Sequence, residues 1–554
     1  MKKNKKKNKK TLRNILIAVV LLFAAGIYYY IKLPALNIHS PGLWKFILFL
    51  VFIGTALILI IHVKKDYESF GKSALKINKD TILKSPVKWG IGLFAAILII
   101  FIIGSVLSSP IINAKRYQRL MAVEERNFSE DIEEVDYTTI PLLDKASAEI
   151  LGDRKLGSMV DMVSQFEVDT EYTQINYQGR PVRVTPLCYA SLIKWFTNQS
   201  EGIPAYLLID MTTQDIEVVM LDNGIKYSKG EHFNRNLYRH LRFRYPTYIF
   251  DDQIFFEIDE EGTPFWVCPV KKYNIGLFGG QTVGKVVLCN AITGDCTAYD
   301  IDEVPQWVDK VYSADLLMQL YDYHGTLING FWNSVLGQKG CIQTTNGYNY
   351  IAMEDDVWVY TGVTSVNGDQ SNVGFVLMNQ RTMETRFYTV EGVIEDSAMS
   401  SAEGQVQNLG YRATFPLLVN IDSEPTYILA LKDDAGLVKK YAMVNVKKYQ
   451  IVAVGDTIRE CEKNYLELLA TNGIRVENTQ VQSNRITGNI SSYAAIVIDG
   501  NTHYYVCLDN SEEIFDMDMS NERLIGIIRY QEGDRVTFFY EDGESVLKEV
   551  TSYE

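Results

Sequence analysis

The chain has 554 residues, 47% of them apolar, too long for one ordinary domain and apolar enough to bury a real core. Its net charge of −14 hides a division: residues 1–108 carry 17 Lys+Arg against 3 Asp+Glu, and residues 109–554 carry 37 against 65. A second part that acidic excludes a nucleic-acid binder, because phosphate binding needs a basic surface.

Three apolar runs occupy residues 1–108: Ile15–Ile31, Trp44–Ile61 and Trp89–Leu107. Each approaches the ~20 residues that cross a hydrocarbon core. The first follows MKKNKKKNKK but ends in Tyr28-Tyr29-Tyr30, which suits an interfacial aromatic belt better than a cleavage site. The Lys-rich N-terminus and Lys64–Lys88 are basic, whereas Leu33–Leu43 carries no charge. The positive-inside rule then predicts a plasma-membrane protein with a cytoplasmic N-terminus and everything after about residue 108 extracellular. The second and third spans lack deep ionisable residues, so they read as an anchor in lipid rather than an ion path.

Residues 109–136 read as a juxtamembrane helix (Asn113–Asn127) and an acidic linker, and 137–202 as a mixed segment with a hairpin tip at Tyr177-Gln178-Gly179. From 203 to 475 one pattern recurs. An apolar strand runs into Asp or Asn, and a Thr and an acid follow: Asp210, Thr213, Asp215; Asn290, Thr293, Asp295; Asn379, Thr382, Glu384. A fourth, degenerate copy surrounds Asn445, and the intervals are 80, 89 and 66 residues. The Asx side chain can bond the backbone two residues on and start a turn. Helix-like runs follow at Phe233–Arg244, Ser313–Tyr323, Ser400–Leu409 and Thr457–Ala470. The first of these carries Arg235, Arg239, Arg242 and Arg244, either one face of an amphipathic helix or an anion patch.

This hairpin resembles that of PepSY domains, small extracytoplasmic α+β modules. The resemblance implies binding or restraint of partners at the cell surface and transfers no catalytic residue. The whole chain also resembles three-span envelope proteins of Gram-positive bacteria. Residues 481–554 read as short strands with turns at Asp499-Gly500 and Asp542-Gly543, a small β-barrel resembling an OB-fold or SH3-like domain.

All seven cysteines follow residue 108. Cys289 and Cys296 flank one turn, and either a disulfide or two buried thiols fits them. Catalytic motifs fail. Gly279–Val286 nearly spells a phosphate loop, but Val286 stands where a magnesium ligand is required. HExxH and GxSxG are absent. Asp251, Asp252, Glu257, Asp259, Glu260 and Glu261 read as a solvated acidic face. The fold class expected is α+β: a three-helix anchor, a row of hairpin–helix modules and a small barrel. The function expected is a non-catalytic envelope scaffold, with no cofactor or metal. Its expected partners are membrane lipid and other envelope proteins or wall polymer, with self-association left open. The alternatives are a regulator or inhibitor of a surface peptidase, and an envelope hydrolase with an unrecognised site.

Overall fold

The computed structural model describes residues 18–70, 87–132, 140–141, 143–366, 371–474, 484–498, 501–519, 524–540 and 547–553. The basic N-terminus, most of the loop before the third apolar run and the turns at 499–500 and 542–543 lie outside these residues. Two helices are long and apolar enough to cross a membrane, at Pro41–Ile60 and Val87–Leu107, with mean hydropathies of 2.5 and 2.8. They point to membrane association. The first run forms a shorter apolar helix, α1 (Ala18–Lys32). Helix α2 spans Pro41–Phe70 and α3 Val87–Leu107. A Cβ on Gly90 would sit 2.2 Å from the Thr55 hydroxyl, so glycine there permits the close approach of α2 and α3.

After α3 the chain turns at Ser109-Pro110 into α4 (Pro110–Gln118), which ends well before the expected Asn127. Strand β1 (Glu124–Arg126) follows, then α5 (Lys145–Gly157) and β2 (Phe166–Val168). Four antiparallel meanders come next. Module 1 comprises β3 (Thr173–Tyr177), β4 (Arg180–Tyr189), β5 (Ile203–Asp210) and β6 (Ile216–Ile225), with α6 (Leu192–Asn198) inserted and α7 (Leu237–Arg244) behind. Module 2 comprises β7 (Phe255–Ile258), β8 (Pro264–Ile275), β9 (Gly279–Asn290) and β10 (Cys296–Asp300), followed by α8 (Ala314–Thr326). In module 3, β11 (Ile342–Thr344) is an edge strand. Its meander is β12 (Asn349–Met353), β13 (Asp356–Ser365), β14 (Ser371–Asn379) and β15 (Thr385–Tyr388), followed by β16 (Gly392–Val393) and α9 (Glu395–Gln405). Module 4 adds β17 (Arg412–Ala413) to β18 (Leu417–Ile421), β19 (Glu424–Lys432), β20 (Val438–Asn445) and β21 (Val452–Gly455), then α10 (Ile458–Thr471). Helix α9 starts five residues before the expected Ser400, and α6 starts at Leu192 because residues up to Tyr189 belong to β4.

The turn between the third and fourth strands closes alike in each module. Asp210 accepts the N–H groups of Thr212 and Thr213, and Asn290 those of Ile292 and Thr293. Asn379 accepts those of Arg381 and Thr382, and Asn445 those of Lys447 and Lys448. The residue after each Asx donates to the second strand, at Pro181, Pro264, Val357 and Pro425. Three turns then need one left-handed residue: Gln214 (φ 65°), Gly294 (φ 78°) and Met383 (φ 67°). Glycine takes this backbone freely, and the other two carry a strain of about 1 kcal/mol.

The central strands are buried on both faces. In β8, Trp266 and Cys268 join the core shared with module 1, while Val267 joins the core shared with module 3. In β13, Val359 and Val363 face module 2, while Trp358 and Tyr360 face module 4. Each helix seals the cleft between its own module and the next: Leu237 and Leu241 of α7, Leu317 and Leu320 of α8, Ala398 and Ala402 of α9. Strand β1 adds in parallel to the edge of β15. Helix α5 reaches module 4, where Lys432 pairs with Asp144 at 2.6 Å.

The residues after α10 include a closed barrel of β22 (Asn484–Ile498), β23 (Asn501–Leu508), β24 (Ile514–Asp518), β25 (Arg535–Tyr540) and β26 (Leu547–Tyr553). The order around it is β22-β23-β24-β26-β25, with β22 paired to both β23 and β25 and only β24–β26 parallel. Phe515, Met517 and Phe538 fill its interior.

The Asx turns generate a graded expectation. Asn379 also donates to buried Asp356 at 2.7 Å. Asn379→Ala should cost about 1–3 kcal/mol in a chemical denaturation curve, because it strands buried polar groups. Asp295→Ala, whose carboxylate accepts only from an exposed Thr293 hydroxyl, should stay within about 0.5 kcal/mol.

Candidate functional site

Chemistry-bearing side chains converge at the turn of the β9–β10 hairpin. Antiparallel register sets Cys289 opposite Cys296. The Asn290 turn and left-handed Gly294 aim the Gly294 carbonyl at α7, where His240 Nε2 lies 2.6 Å away. Tyr227 stacks against His240 at 4.6 Å between ring centres. A Cβ on Gly294 would come within 2.4 Å of the Tyr227 ring, so the turn tolerates no side chain there. Ligand atoms of His240, Cys289 and Cys296 all lie within 4.8 Å of one another. This is the group among the described residues that could hold a metal ion. Cys289 is fully buried, Cys296 nearly so and His240 half-buried.

Both thiols are free. The hydrogen bond from Cys289 stabilises the Cys296 thiolate, and His240 and Arg244 add to it, so the Cys296 thiol is lowered to about 6. Cys289 moves up in turn, through that same bond and its burial. His240 is raised, chiefly by its hydrogen bond with Cys296. The arrangement resembles an activated Cys–His pair, with Cys296 only 6% exposed. The sequence sets the two cysteines across one turn but gives no sign of His240, whose approach depends on how α7 packs.

The first Asx turn lines a different feature, an open concavity of about 620 Å³ holding Lys155, Arg180, Asp210, Thr213, Asp215 and Glu217. Its charges are mixed, and Arg180 approaches Asp210 at 3.6 Å. The Asn290, Thr293 and Asp295 turn sits at the thiol cluster. In module 3, Asn379 and Thr382 close their turn, and Glu384 binds Arg386 at 2.7 Å. The copies do not converge on one site.

The four arginines around α7 do not form one anion patch. Arg235 donates to the Gln199 carbonyl, Arg239 to Tyr30 and Arg242 to Leu33 and Tyr248. Main-chain carbonyls at the end of α1 thus satisfy charges that composition leaves open to solvent. Arg244 instead lies beside Cys296.

The acidic cluster needs a correction too. Glu257 is fully buried, not solvated, and accepts the N–H groups of Asp309 and Lys310 at 2.9 Å each. Asp309 accepts Asn176 N–H at 2.7 Å, and Lys310 donates to Gln380 and lies over Tyr350. Desolvation raises Glu257 to about 7 and lowers Lys310 to about 7. These groups tie modules 1, 2 and 3 together.

Two outcomes follow. Glu257→Ala should destabilise the protein by about 3–5 kcal/mol in denaturant titrations, because two main-chain donors and Lys310 lose their buried partner. In metal-free, reduced protein one thiolate's ultraviolet absorbance should disappear as pH falls through about 6, the value to which Cys296 is lowered. In His240→Ala that loss should occur at higher pH, because the partner that favours the thiolate is gone.

No protein-family model and no curated protein matches the chain. Among solved structures, a tryptophan-to-alanine variant of Synechocystis apocarotenoid oxygenase aligns at 9% identity and a TM-score of 0.17, over 55% of this chain and 67% of that one. A glutamate-to-aspartate variant of the same oxygenase gives 8% identity and a TM-score of 0.16, over 53% and 65%.

Proposed function

We propose that this protein is a non-catalytic binding and assembly scaffold of the cell envelope, held in the plasma membrane by three spans with its acidic modules outside. One observation carries the reading: the α1–α2 loop and the end of α3 grip the same region of the module stack. Leu36 N–H donates to the Pro246 carbonyl at 2.7 Å, and His39 Nδ1 lies 2.9 Å from the Leu277 carbonyl. Ser108 Oγ, at the end of α3, accepts the N–H groups of Leu277 and Phe278. Helix exits bound this way support one side for the ectodomain and for that loop. With the N-terminus basic, that side is the outside.

Further features support a seat on the outer leaflet. Phe243 packs edge-on against Tyr29 at 5.7 Å, and Leu192, Ile193, Phe196 and Phe233 nearby are each at least 65% exposed. Apolar side chains continuous with an aromatic belt suit the interface. The modules keep the PepSY-like reading on the strength of their Asx turns, and the order of the barrel strands favours an OB-like over an SH3-like barrel. The hydrolase alternative loses ground because Cys296, the thiol beside His240, is only 6% exposed. The reading as a peptidase regulator rests on the PepSY resemblance.

Protease added to intact protoplasts should remove the chain beyond about residue 115; protection there contradicts the topology. Cross-linking of full-length protein in the same cells should enrich envelope proteins or wall fragments over a control carrying only residues 1–108. Equal recovery from both contradicts the scaffold role.

A further inference from the structure

We propose that Cys289, Cys296 and His240 bind one zinc-class cation, which fastens the β9–β10 hairpin to α7. This goes beyond the scaffold reading and does not depend on it. The ligand set is two sulfurs and one imidazole nitrogen, all within 4.8 Å of one another before any ion is bound. Tetrahedral zinc, with bonds of about 2.3 Å to sulfur and about 2.0 Å to nitrogen, needs ligand separations of about 3.3–3.8 Å. Small side-chain adjustments on a fixed backbone supply that contraction.

The surroundings select the ion. Two thiolates and an imidazole suit zinc and other thiophilic metals and disfavour calcium or magnesium, which take oxygen. The Asn290 turn fixes the hairpin, and Tyr227 and the Gly294 carbonyl hold the imidazole ring. Binding would form two metal–thiolate bonds and one metal–nitrogen bond, leave the fourth position of the tetrahedron to water, and release the protons held by the thiols and by any imidazolium. Neither sulfur changes oxidation state. Both thiols are free in the structure, so both sulfurs are available to a metal.

The consequence is mechanical. Helix α7 also contacts α1, through Arg239 to Tyr30 and Arg242 to Leu33. An ion joining His240 to the hairpin would couple the core of module 2 to the helix beside the membrane.

The test uses full-length protein in detergent, reduced and stripped of metal, with zinc as the probe and a chromogenic chelator as competitor. One tight equivalent per chain is expected, with two sulfurs and at least one nitrogen around zinc by X-ray absorption. Cys296→Ser and His240→Ala should each weaken apparent affinity by more than about 100-fold, since even outer partners of metal ligands cost 10–100-fold. Cys507→Ser, in the barrel, should leave it unchanged. Zinc should also raise the wild-type melting temperature and not that of His240→Ala. If Cys296→Ser does not fold, His240→Ala and the wild-type absorption spectrum decide. The proposal is overturned if no zinc is retained, if retained zinc has only oxygen and nitrogen ligands, or if His240→Ala binds as tightly as wild type. A Cys289–Cys296 disulfide in protein isolated without reductant overturns it as well.

Discussion

Everything in the module stack depends on sheets that are buried on both faces. Alternate residues of one strand enter different cores: Trp266 and Cys268 one way, Val267 the other; Trp358 and Tyr360 one way, Val359 the other. Fully buried aromatics such as Trp266, Trp358, Tyr360 and Tyr427 each remove ~150–250 Å² from water. At ~25 cal/mol per Å² that is at most about 4–6 kcal/mol apiece, and much of it exists only when two modules meet. An isolated meander would expose a whole apolar face. The repeated helix completes the arrangement by closing the cleft that each new sheet opens.

Stacking also decides where charge can go. Glu257 shares a strand with Phe256 and Ile258, and both faces of that strand are covered, so its carboxylate must find donors inside. It finds the main chain of Asp309 and Lys310, and the result is a polar joint between three modules. Such a joint contributes less net energy than apolar packing would, but it penalises any misregister between modules. At the apolar helices, carbonyls at the end of α1 satisfy the arginines of α7, so the stack is seated on the helices rather than tethered by a loose linker.

Local chemistry was legible in the sequence; tertiary chemistry was not. Asp210, Asn290, Asn379 and Asn445 reveal their turns because an Asx side chain acts on backbone two and three residues away. The left-handed position could be filled by Gln214 or Met383 because the surrounding bonds hold it, which is why a Thr-Gly pair is not required. The apolar runs of α2 and α3 are equally local. By contrast, Glu257 reads as solvated because alternation assumes one wet face, and β7 has none. The arginines of α7 leave an amphipathic face and an anion patch both open in the sequence, because their acceptors, Tyr30 and Leu33, lie more than 200 residues away. His240 escaped notice beside Cys296 because only the packing of α7 brings them together.

The most direct test of the shared-core account is hydrogen exchange on the full-length protein across a denaturant series. If the cores are mutual, amides of β4, β8, β13 and β19 should lose protection together, at one denaturant concentration and with one cooperative slope. Stepwise loss, with one meander exchanging freely while its neighbours keep full protection, would contradict it.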